Sequence, residues 1–480
     1  MSGNRLIRRI YNLWYTLFGT TFLAIIFSKL IIRSIPMEKN LIPQSLNDFV
    51  QSIIHMYIMY IMIFSLIIFA LFSLNFTIYG LPSMKLLDPE LTAIPIIQNL
   101  SFFPSNMDFL NDNEILVLDK NNGTVRMISN GILNPNPLLK VNVSPTGERG
   151  LLGIAIEENN TSTLPTQVFL YFTEAINSIN LDTTSEYEVK NRLYKYDLVN
   201  NKLVNPRLLL ELPAGPGTTH NGGAIRIGPD GNIYIPYGDL GLRTQTQNII
   251  DGPPTHGTGG ILRITQNGSI VEDGFSLGVG NLSLFFGYGI RNSFGIDFDP
   301  ISGYLWDTEN GPDYGDEVNL VKPGFNSGWL RVQGEWSPKW SSIPGFGAFI
   351  GDKVESTSNL VNFGNKGIYR SPEFMTGNFT IGPTAIQFLS SDTLGDKYQN
   401  DMFVGDIHNG NIYRFELNEK REGLIFNNQL ADKIANTKDE LKPLLFGEGF
   451  GSITDIEESE DGYLYILSAG RNAIFKIMSN

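Results

Sequence analysis

The chain has 480 residues, a formal net charge of −14 and no cysteine. Its length allows a full-sized hydrophobic core together with accessory segments, and the acidic balance argues against nucleic acid as a partner. The absence of cysteine excludes disulfides, thiolate metal ligands and cysteine nucleophiles. The 49 glycines, and the scarcity of helix-like periodicity beyond the N-terminus, indicate an all-β body that is rich in turns.

The first 80 residues differ in kind from the remainder. Residues 11–28 are a nearly uncharged apolar run, and residues 56–79 carry no charge at all. The second run is long enough to cross a bilayer of about 30 Å. We interpret both runs as transmembrane helices, so that residues 1–80 form a membrane anchor and residues 81–94 a linker.

Charge counting leaves the orientation of this anchor open. Three arginines near the N-terminus favour a cytoplasmic N-terminus, whereas three basic residues after the first apolar run favour a cytoplasmic loop. Several Asn-X-Ser/Thr sequons later in the chain weakly favour an extracytoplasmic domain.

From about residue 95 onward one pattern recurs six times. Each unit contains a strand, a turn that is often Asp-Gly or Asn-Gly, and two further strands. Six such units predict a six-bladed β-propeller over residues 95–480, because radial closure removes exposed sheet edges. An antiparallel sandwich is the alternative. The uneven spacing predicts long insertions around residues 240–290 and 325–380, where binding loops often lie.

Polar residues precede the inner strands of three consecutive units. Glu148 precedes the second, His220 the third, and Arg291-Asn292 the fourth. Equivalent positions in a propeller face the same central mouth. A histidine there, with an ordinary pKa of about 6.5, is suited to act as a general base. An arginine beside it can polarise a carbonyl or bind an anion, although a structural role is the alternative for each residue.

The second strand of the fourth unit runs into a Gly311-Pro312 corner. Glycine allows positive φ and proline fixes its own φ. Such a corner directs carbonyl oxygens outward at a strand end, which suits a hard cation. Asp313, Asp316 and Glu317 follow as candidate metal ligands, although an acidic turn is more often simply solvated.

Six motifs in this order make the sequence similar to a known family: GERGLLGIA at 147–155, HNGG at 220–223, GILRI at 260–264, GIRN at 289–292, TENGP at 308–312 and DEVNL at 316–320. Over about residues 95–478 the chain resembles the glucose/sorbosone dehydrogenase family. These are quinoprotein aldose sugar dehydrogenases that use pyrroloquinoline quinone (PQQ). The resemblance implies a six-bladed propeller that oxidises an aldose or a related alcohol, with an electron acceptor that the sequence does not define.

The resemblance also assigns roles to the residues of the predicted mouth. It implies that His220 is the catalytic base for the anomeric hydroxyl. It places Arg291 near the reactive carbonyl of the quinone, where positive charge stabilises a developing oxyanion, and Asn292 beside it. Because the calcium and quinone chemistry of this family is extracytoplasmic, it implies a propeller outside the cytoplasm, attached to the membrane by the N-terminal helices.

Four further positions follow from the same resemblance. It implies that the main-chain carbonyls of Gly311 and Pro312 hold a calcium ion, which takes oxygen ligands. Glu148 falls where the glucose enzyme has glutamine, and His408 falls where the family has a cofactor-binding lysine. Both are therefore expected to contact the cofactor.

The chain departs from the family pattern at three other positions. The glucose enzyme has aspartate before the base, where this chain has Thr219, so the histidine ring is expected to lack that orienting carboxylate. Ser452 and Thr454 stand where the family has two arginines that neutralise cofactor carboxylates. One alternative is therefore a propeller that has lost PQQ and serves as a calcium-stabilised glycan- or protein-binding module. A calcium-dependent lactonase-type hydrolase is another.

Overall fold

The computed structural model describes residues 82–157, 165–176, 189–215, 217–241, 248, 257–336 and 356–480. The chain divides into two compact units, Met1–Gly80 and Leu81–Asn480, and every described residue belongs to the second. The predicted transmembrane helices at 11–28 and 56–79 therefore lie outside the described residues. Within the described ranges, no helix is both long and apolar enough to span a bilayer.

The described chain is built from short strands that form six mainly antiparallel sheets, numbered here 1 to 6 in chain order. Two strands come first, β1 (Lys85–Leu86) and β2 (Leu91–Ile97). Sheet 1 contains β3 (Pro104–Asn111), β4 (Glu114–Asp119), β5 (Thr124–Ser129), β6 (Ile132–Leu133) and β7 (Leu139–Lys140). Sheet 2 contains β8 (Leu151–Glu157), β9 (Gln167–Ala175), β10 (Val189–Val199) and β11 (Lys202–Pro213).

Sheets 3 and 4 lie in the middle of the chain. Sheet 3 contains β12 (Arg226–Ile227), β13 (Ile233–Tyr237), β14 (Gly260–Ile264), β15 (Phe285–Tyr288), β19 (Phe325–Asn326) and β20 (Ile368–Tyr369). Sheet 4 contains β16 (Ser293–Phe298), β17 (Leu305–Glu309), β18 (Glu317–Val321), β21 (Phe374–Thr376) and β25 (Ile434–Ala435).

Sheets 5 and 6 each take one strand from the start of the described chain. Sheet 5 contains β22 (Pro383–Phe388), β23 (Met402–Asp406), β24 (Ile412–Phe415), β26 (Leu445–Glu448) and β1. Sheet 6 contains β27 (Ile453–Glu458), β28 (Leu464–Ser468), β29 (Ala473–Ser479) and β2. Short 3₁₀ helices lie at Gly280–Leu284, Thr357–Asn359, Asp396–Tyr398, Asn428–Leu430 and Lys438–Leu444.

The six sheets follow one another around a closed ring. The inner strands of neighbouring sheets pack together: β3 on β8, β8 on β12, β13 on β16, β16 on β22, and β22 on β27. The contact between β27 and β3 returns the ring to its start. The architecture is therefore an all-β propeller, in which radial packing protects the inner sheet edges.

Local sequence explains both the hairpins and the packing between sheets. Between β10 and β11 the two turn residues, Asn200 and Asn201, have φ of 50° and 56°. Asparagine tolerates this left-handed region, which a two-residue hairpin turn requires. Between sheets 4 and 5, the buried ring of Trp306 meets Phe388 edge-on, with ring centroids 6.5 Å apart. Such aromatic contacts fill the wedge between neighbouring sheets.

The prediction of an all-β propeller is confirmed, and each sheet contains the three strands predicted for a repeat together with at least one further strand. The outer strands were not predicted. Most of these are only two or three residues long, too short for a period-two pattern. Residues 81–94, assigned to a linker from the sequence, include β1 and the start of β2, and these strands pair within sheets 5 and 6.

Carboxylates of the inner strands are buried around a single arginine. Arg226 of β12 lies 2.6 Å from Glu457 of β27 and 3.7 Å from Asp297 of β16. Asp455 accepts hydrogen bonds from the Asn106 side chain at 2.7 Å and from the backbone of Met107 at 2.8 Å. Burial raises the pKa of Asp297 to about 6 and that of Asp455 to about 7.

These raised pKa values predict that the protein becomes less stable as the pH rises. The folded state holds protons on Asp297 and Asp455 that the unfolded chain, with carboxyl pKa values of about 4, has already released. The stabilisation of the folded state by protonated Asp297 and Asp455 is complete below about pH 4. It is lost as the pH rises through the folded pKa values of these residues, about 6 and about 7. We expect the free energy of unfolding to fall by roughly 2–4 kcal/mol between pH 5 and pH 8.

Thermal or urea unfolding at both pH values measures this difference. In Asp455→Asn the difference should shrink, whatever the effect of the substitution on stability at a single pH. A variant with an undiminished pH dependence would show that Asp455 does not carry the raised pKa.

Candidate active site

One end of the ring gathers two loops from each sheet. Because the innermost strand and its neighbour are antiparallel, the loop entering the first and the loop leaving the second lie at the same end. These loops surround a cavity of about 580 Å³, a volume typical of small-molecule sites. A larger groove of about 710 Å³ lies beside the outer strands of sheet 5, but none of the predicted site residues lines it.

Seven residues that the sequence analysis predicted for the site line this one cavity: Glu148, His220, Arg291, Asn292, Gly311, Pro312 and His408. They come from loops of sheets 2, 3, 4 and 5. Residues separated by as many as 260 positions in the chain are thus brought together by the ring. Of the acidic residues after the corner, Asp316 also lines the cavity.

His220 is held at the cavity by its backbone and by its ring. It has a φ of 60°, in the left-handed region that non-glycine residues seldom adopt. Its backbone N–H donates to Glu148 Oε2 at 2.5 Å, so Glu148 fixes the loop of the neighbouring sheet. Its ring Nδ1 is hydrogen-bonded to Asp239 Oδ1. The expectation that the ring lacks an orienting carboxylate, because Thr219 precedes it, is therefore wrong.

Asp239 follows β13, the second strand of sheet 3, and is buried. It accepts hydrogen bonds from Trp329 Nε1 at 2.8 Å and from the Gly241 backbone N–H at 2.8 Å. Because the Asp239 carboxylate already accepts hydrogen bonds from two N–H groups, it also acts as the acceptor for the His220 ring. Nδ1 of His220 therefore carries the proton that it donates to Asp239. In the neutral ring this arrangement leaves Nε2 as the nitrogen that can accept a proton.

Gly238 allows the loop that carries Asp239 to approach both His220 and Arg291. A Cβ atom at this position would lie 2.7 Å from the carbonyl oxygens of Arg291 and His220, and 2.8 Å from the Cβ of His220. The Asp239 backbone N–H also donates to the Arg291 carbonyl at 2.9 Å. The absence of a side chain at position 238 therefore sets the spacing between the base and the arginine.

Arg291 is a cation without a carboxylate partner among the described residues. Its backbone N–H donates to Glu309 Oε1 at 2.7 Å, and its Nη1 donates to the Asn310 carbonyl at 2.7 Å. The guanidinium lies over the Trp329 ring, 5.6 Å from the ring centroid. Burial lowers the pKa of Arg291 from its ordinary value and raises that of Glu309 to about 7. The guanidinium thus retains its capacity to bind an anion in the cavity.

Asp316 holds the Gly311-Pro312 corner in place. Its carboxylate accepts backbone N–H bonds from Gly311 at 2.9 Å, Ile381 at 2.6 Å and Gly382 at 2.9 Å. Burial raises the pKa of Asp316, and these hydrogen bonds oppose that shift. Asp316, one of the acidic residues that follow the corner, therefore holds the corner in position.

The carbonyl oxygens of this corner are available to a cation. Gly311 and Pro312 both line the cavity, and no donor in the described part of the chain is bonded to either carbonyl. Nearby, the buried Asn292 Oδ1 also has no hydrogen-bond partner among the described residues. Unpaired oxygens beside a cavity fit the oxygen coordination that calcium requires.

The family follows from comparison with known proteins. The profile of the Glucose / Sorbosone dehydrogenase family matches residues 102–476, most of the chain. The chain belongs to the glucose/sorbosone dehydrogenase family. This match covers all six sheets apart from the short strands at the N-terminus and the last residues of β29.

Individual relatives in the glucose/sorbosone dehydrogenase family have named activities. The chain is 32% identical over 204 residues to quinoprotein glucose dehydrogenase B of Acinetobacter calcoaceticus, which covers 39% of this chain and 41% of that protein. It is 24% identical over 383 residues to an aldose sugar dehydrogenase of Escherichia coli, covering 79% and 91%. The PQQ-bound aldose sugar dehydrogenase of Streptomyces coelicolor has the same fold, with a TM-score of 0.58, 21% identity and coverage of 84% and 100%.

Two residues of this dehydrogenase-family site were missed from the sequence. Asp239 and Lys120 each follow the second strand of their sheet, as the Gly311-Pro312 corner and His408 also do. The antiparallel pairing of the inner two strands is the signal that could have found both, because it places the two kinds of loop at one end.

The close packing at Gly238 predicts a distinct effect of adding one methyl group. In Gly238→Ala the new Cβ lies too near two carbonyl oxygens for the loops to keep their positions. We expect a loss of roughly 1–3 kcal/mol in unfolding free energy and shifted NMR signals of the His220 ring, in a chain with only four histidines.

Gly423→Ala is the matched control, because its Cβ would meet only the ends of two flexible side chains, at 3.0 Å and 3.1 Å. Equal unfolding midpoints for the two variants, together with unshifted His220 signals, would contradict the role assigned to Gly238.

Proposed function

We propose that this protein is a PQQ- and calcium-dependent oxidoreductase that oxidises an aldose sugar or a related alcohol, with His220 as the general base. The observation that carries the proposal is the hydrogen bond from His220 to Asp239, because His220 lines the same cavity as Arg291, whose guanidinium forms no ion pair with a carboxylate of the described residues. A base and a cation at one cavity suit the removal of a proton from a hydroxyl and the stabilisation of negative charge.

The cavity fits the two groups that the family uses. The free carbonyls of Gly311 and Pro312 would hold calcium. Arg291, Asn292, Glu148 and His408 would contact the quinone, for which a cavity of about 580 Å³ has room. When bound, PQQ supplies a two-electron acceptor for the hydride on C1 of the aldose, whose anomeric hydroxyl also loses a proton to leave a lactone.

The chain's own residues prepare the base for this reaction. Asp239 holds the Nδ1 proton of His220, so Nε2 is the atom that accepts the proton of the anomeric hydroxyl. Asp239 then lies where it stabilises the imidazolium that forms. Glu148 keeps the loop of His220 in position through the 2.5 Å bond to its backbone N–H.

Two structural details belong to the same proposal. Each of the six sheets corresponds to one blade of a six-bladed propeller, which the closed ring of inner strands supports. The apolar runs at 11–28 and 56–79 would anchor the chain in a membrane, with the propeller on the extracytoplasmic side. The length and lack of charge of the second run support this anchoring.

One observation favours a second candidate function, a calcium-stabilised binding module without PQQ. Sheet 6 contributes Thr454 to the cavity, and its hydroxyl donates to the Pro104 carbonyl at 3.0 Å. Neither Thr454 nor Ser452 provides the positive charge expected for cofactor carboxylates. A binding module would take up calcium but not the quinone.

A reconstitution experiment tests the proposed function. The purified full chain is loaded with calcium and PQQ, and reduction of an artificial dye is followed over a panel of aldoses. We expect His220→Gln to lower kcat by about 10²- to 10⁴-fold, because a positioned general base contributes that much. Asp239→Asn keeps the shape of the side chain but removes its charge, so we also expect it to lower kcat.

Lys140→Met, an exposed change on sheet 1, is the control and should retain wild-type activity. Sugar-dependent dye reduction that survives in His220→Gln would contradict the assignment of the base. Calcium binding without PQQ binding would instead support the binding module.

A further inference from the structure

A second, partly buried cation lines the cavity on the side of sheet 1. Lys120 follows β4, the second strand of sheet 1, and lines the cavity. Its ammonium donates to the Gly147 carbonyl at 2.9 Å, and makes longer contacts of 3.4 Å with the Pro145 carbonyl and Asn121 Oδ1. All three acceptors are neutral oxygens, and Lys120 forms no ion pair with any carboxylate of the described ranges.

The burial of this ammonium is only partly compensated. Burial lowers the pKa of Lys120 to about 8, and the negative charge of Glu148 opposes that shift. A half-buried cation that bonds only to carbonyl and amide oxygens retains a free-energy cost, which an anionic partner would remove. Such a cost at the wall of a cavity is typical of a ligand-binding group rather than of a surface lysine.

The distribution of charge around the cavity indicates a role for Lys120. Arg291 supplies positive charge on the side of sheets 3 and 4. On the opposite side, sheets 5 and 6 contribute the hydroxyls of Thr380, Thr384 and Thr454, together with His408. Lys120, from sheet 1, is the lysine that lines this part of the described cavity, next to sheet 6 around the ring.

We propose that Lys120 binds a carboxylate of the molecule that occupies the cavity, and so replaces the positive charge that Ser452 and Thr454 do not provide. The carboxylate has two possible sources: one carboxyl group of PQQ, which rests on the proposed function, or the carboxyl group of an acidic sugar. An ammonium beside a cavity recognises either one by a charge-assisted hydrogen bond.

Equilibrium binding to the purified full chain tests this assignment without measuring turnover. Isothermal titration calorimetry is carried out with PQQ in the presence of calcium, and separately with galacturonate and galactose, which differ by a carboxylate. Wild type is compared with Lys120→Met, Lys120→Arg and the exposed control Lys140→Met. For the carboxylate that Lys120 contacts, we expect Lys120→Met to weaken binding by about 10- to 100-fold, as loss of a charged hydrogen bond does.

Lys120→Arg and a pH series separate charge recognition from a structural role. The arginine variant keeps the charge, so its affinity should lie within a few-fold of wild type. Wild-type affinity should fall between pH 7.5 and 9, as the ammonium with a pKa of about 8 is deprotonated, and this fall should be absent in Lys120→Arg. The other titratable groups at the cavity, His220, His408, Glu148, Arg291 and Asp316, are common to both proteins, so their contributions to the pH dependence are the same in both.

The two ligands identify the source of the carboxylate. A Lys120-dependent affinity for PQQ assigns the contact to the cofactor. A Lys120-dependent preference for galacturonate over galactose, with unchanged PQQ binding, assigns it to the substrate. If wild type binds galacturonate through Lys120 but does not bind PQQ, the proposed function fails and this inference stands.

Three results would overturn the inference. The first is binding of every acidic probe by Lys120→Met with the same affinity as Lys140→Met. The second is a wild-type affinity that does not fall between pH 7.5 and 9, which would mean that Lys120 only braces the 145–147 segment. The third is a wild-type protein that binds neither PQQ nor galacturonate.

Discussion

The antiparallel pairing between the inner two strands of each sheet is the constraint on which the site depends. It places the start of one strand and the end of the next at the same end of the ring. Closure through β27 and β3 then fixes the angular position of every loop. His220 enters from the start of an inner strand and Asp239 from the end of a second strand, and the two meet because of this geometry.

Carboxyl groups that accept backbone hydrogen bonds hold the loops in that placement. Glu148, Glu309 and Asp316 accept backbone N–H bonds from His220, Arg291 and Gly311 respectively. Each of these bonds joins a side chain to the backbone of a residue proposed to take part in chemistry. Glu309 and Asp316 are buried, and breaking a buried hydrogen bond is costly, so these bonds stabilise the positions of the loops.

Much of the fold, and part of the candidate site, could be predicted from the sequence. Period-two patterns revealed the inner strands, and motifs around His220, Arg291 and the Gly311-Pro312 corner pointed to one mouth. Two-residue strands such as β1 carry no pattern, so they were invisible. The inference drawn from Thr219 was wrong because it sought the orienting carboxylate next to the histidine, whereas Asp239 reaches it from 19 positions further along the chain. Such contacts depend on how the strands pair, which adjacent residues do not encode.

The pairing of β2 with β29 joins the second strand of the described chain to the last. During synthesis β2 leaves the ribosome hundreds of residues before its partner, so its edge stays unpaired until β29 has been made. The ring therefore closes only after β29 has been synthesised. A message that stops before sheet 6 leaves β2 unpaired and sheet 1 without one of its two neighbouring sheets, in a form prone to aggregate and suited to recognition by quality control.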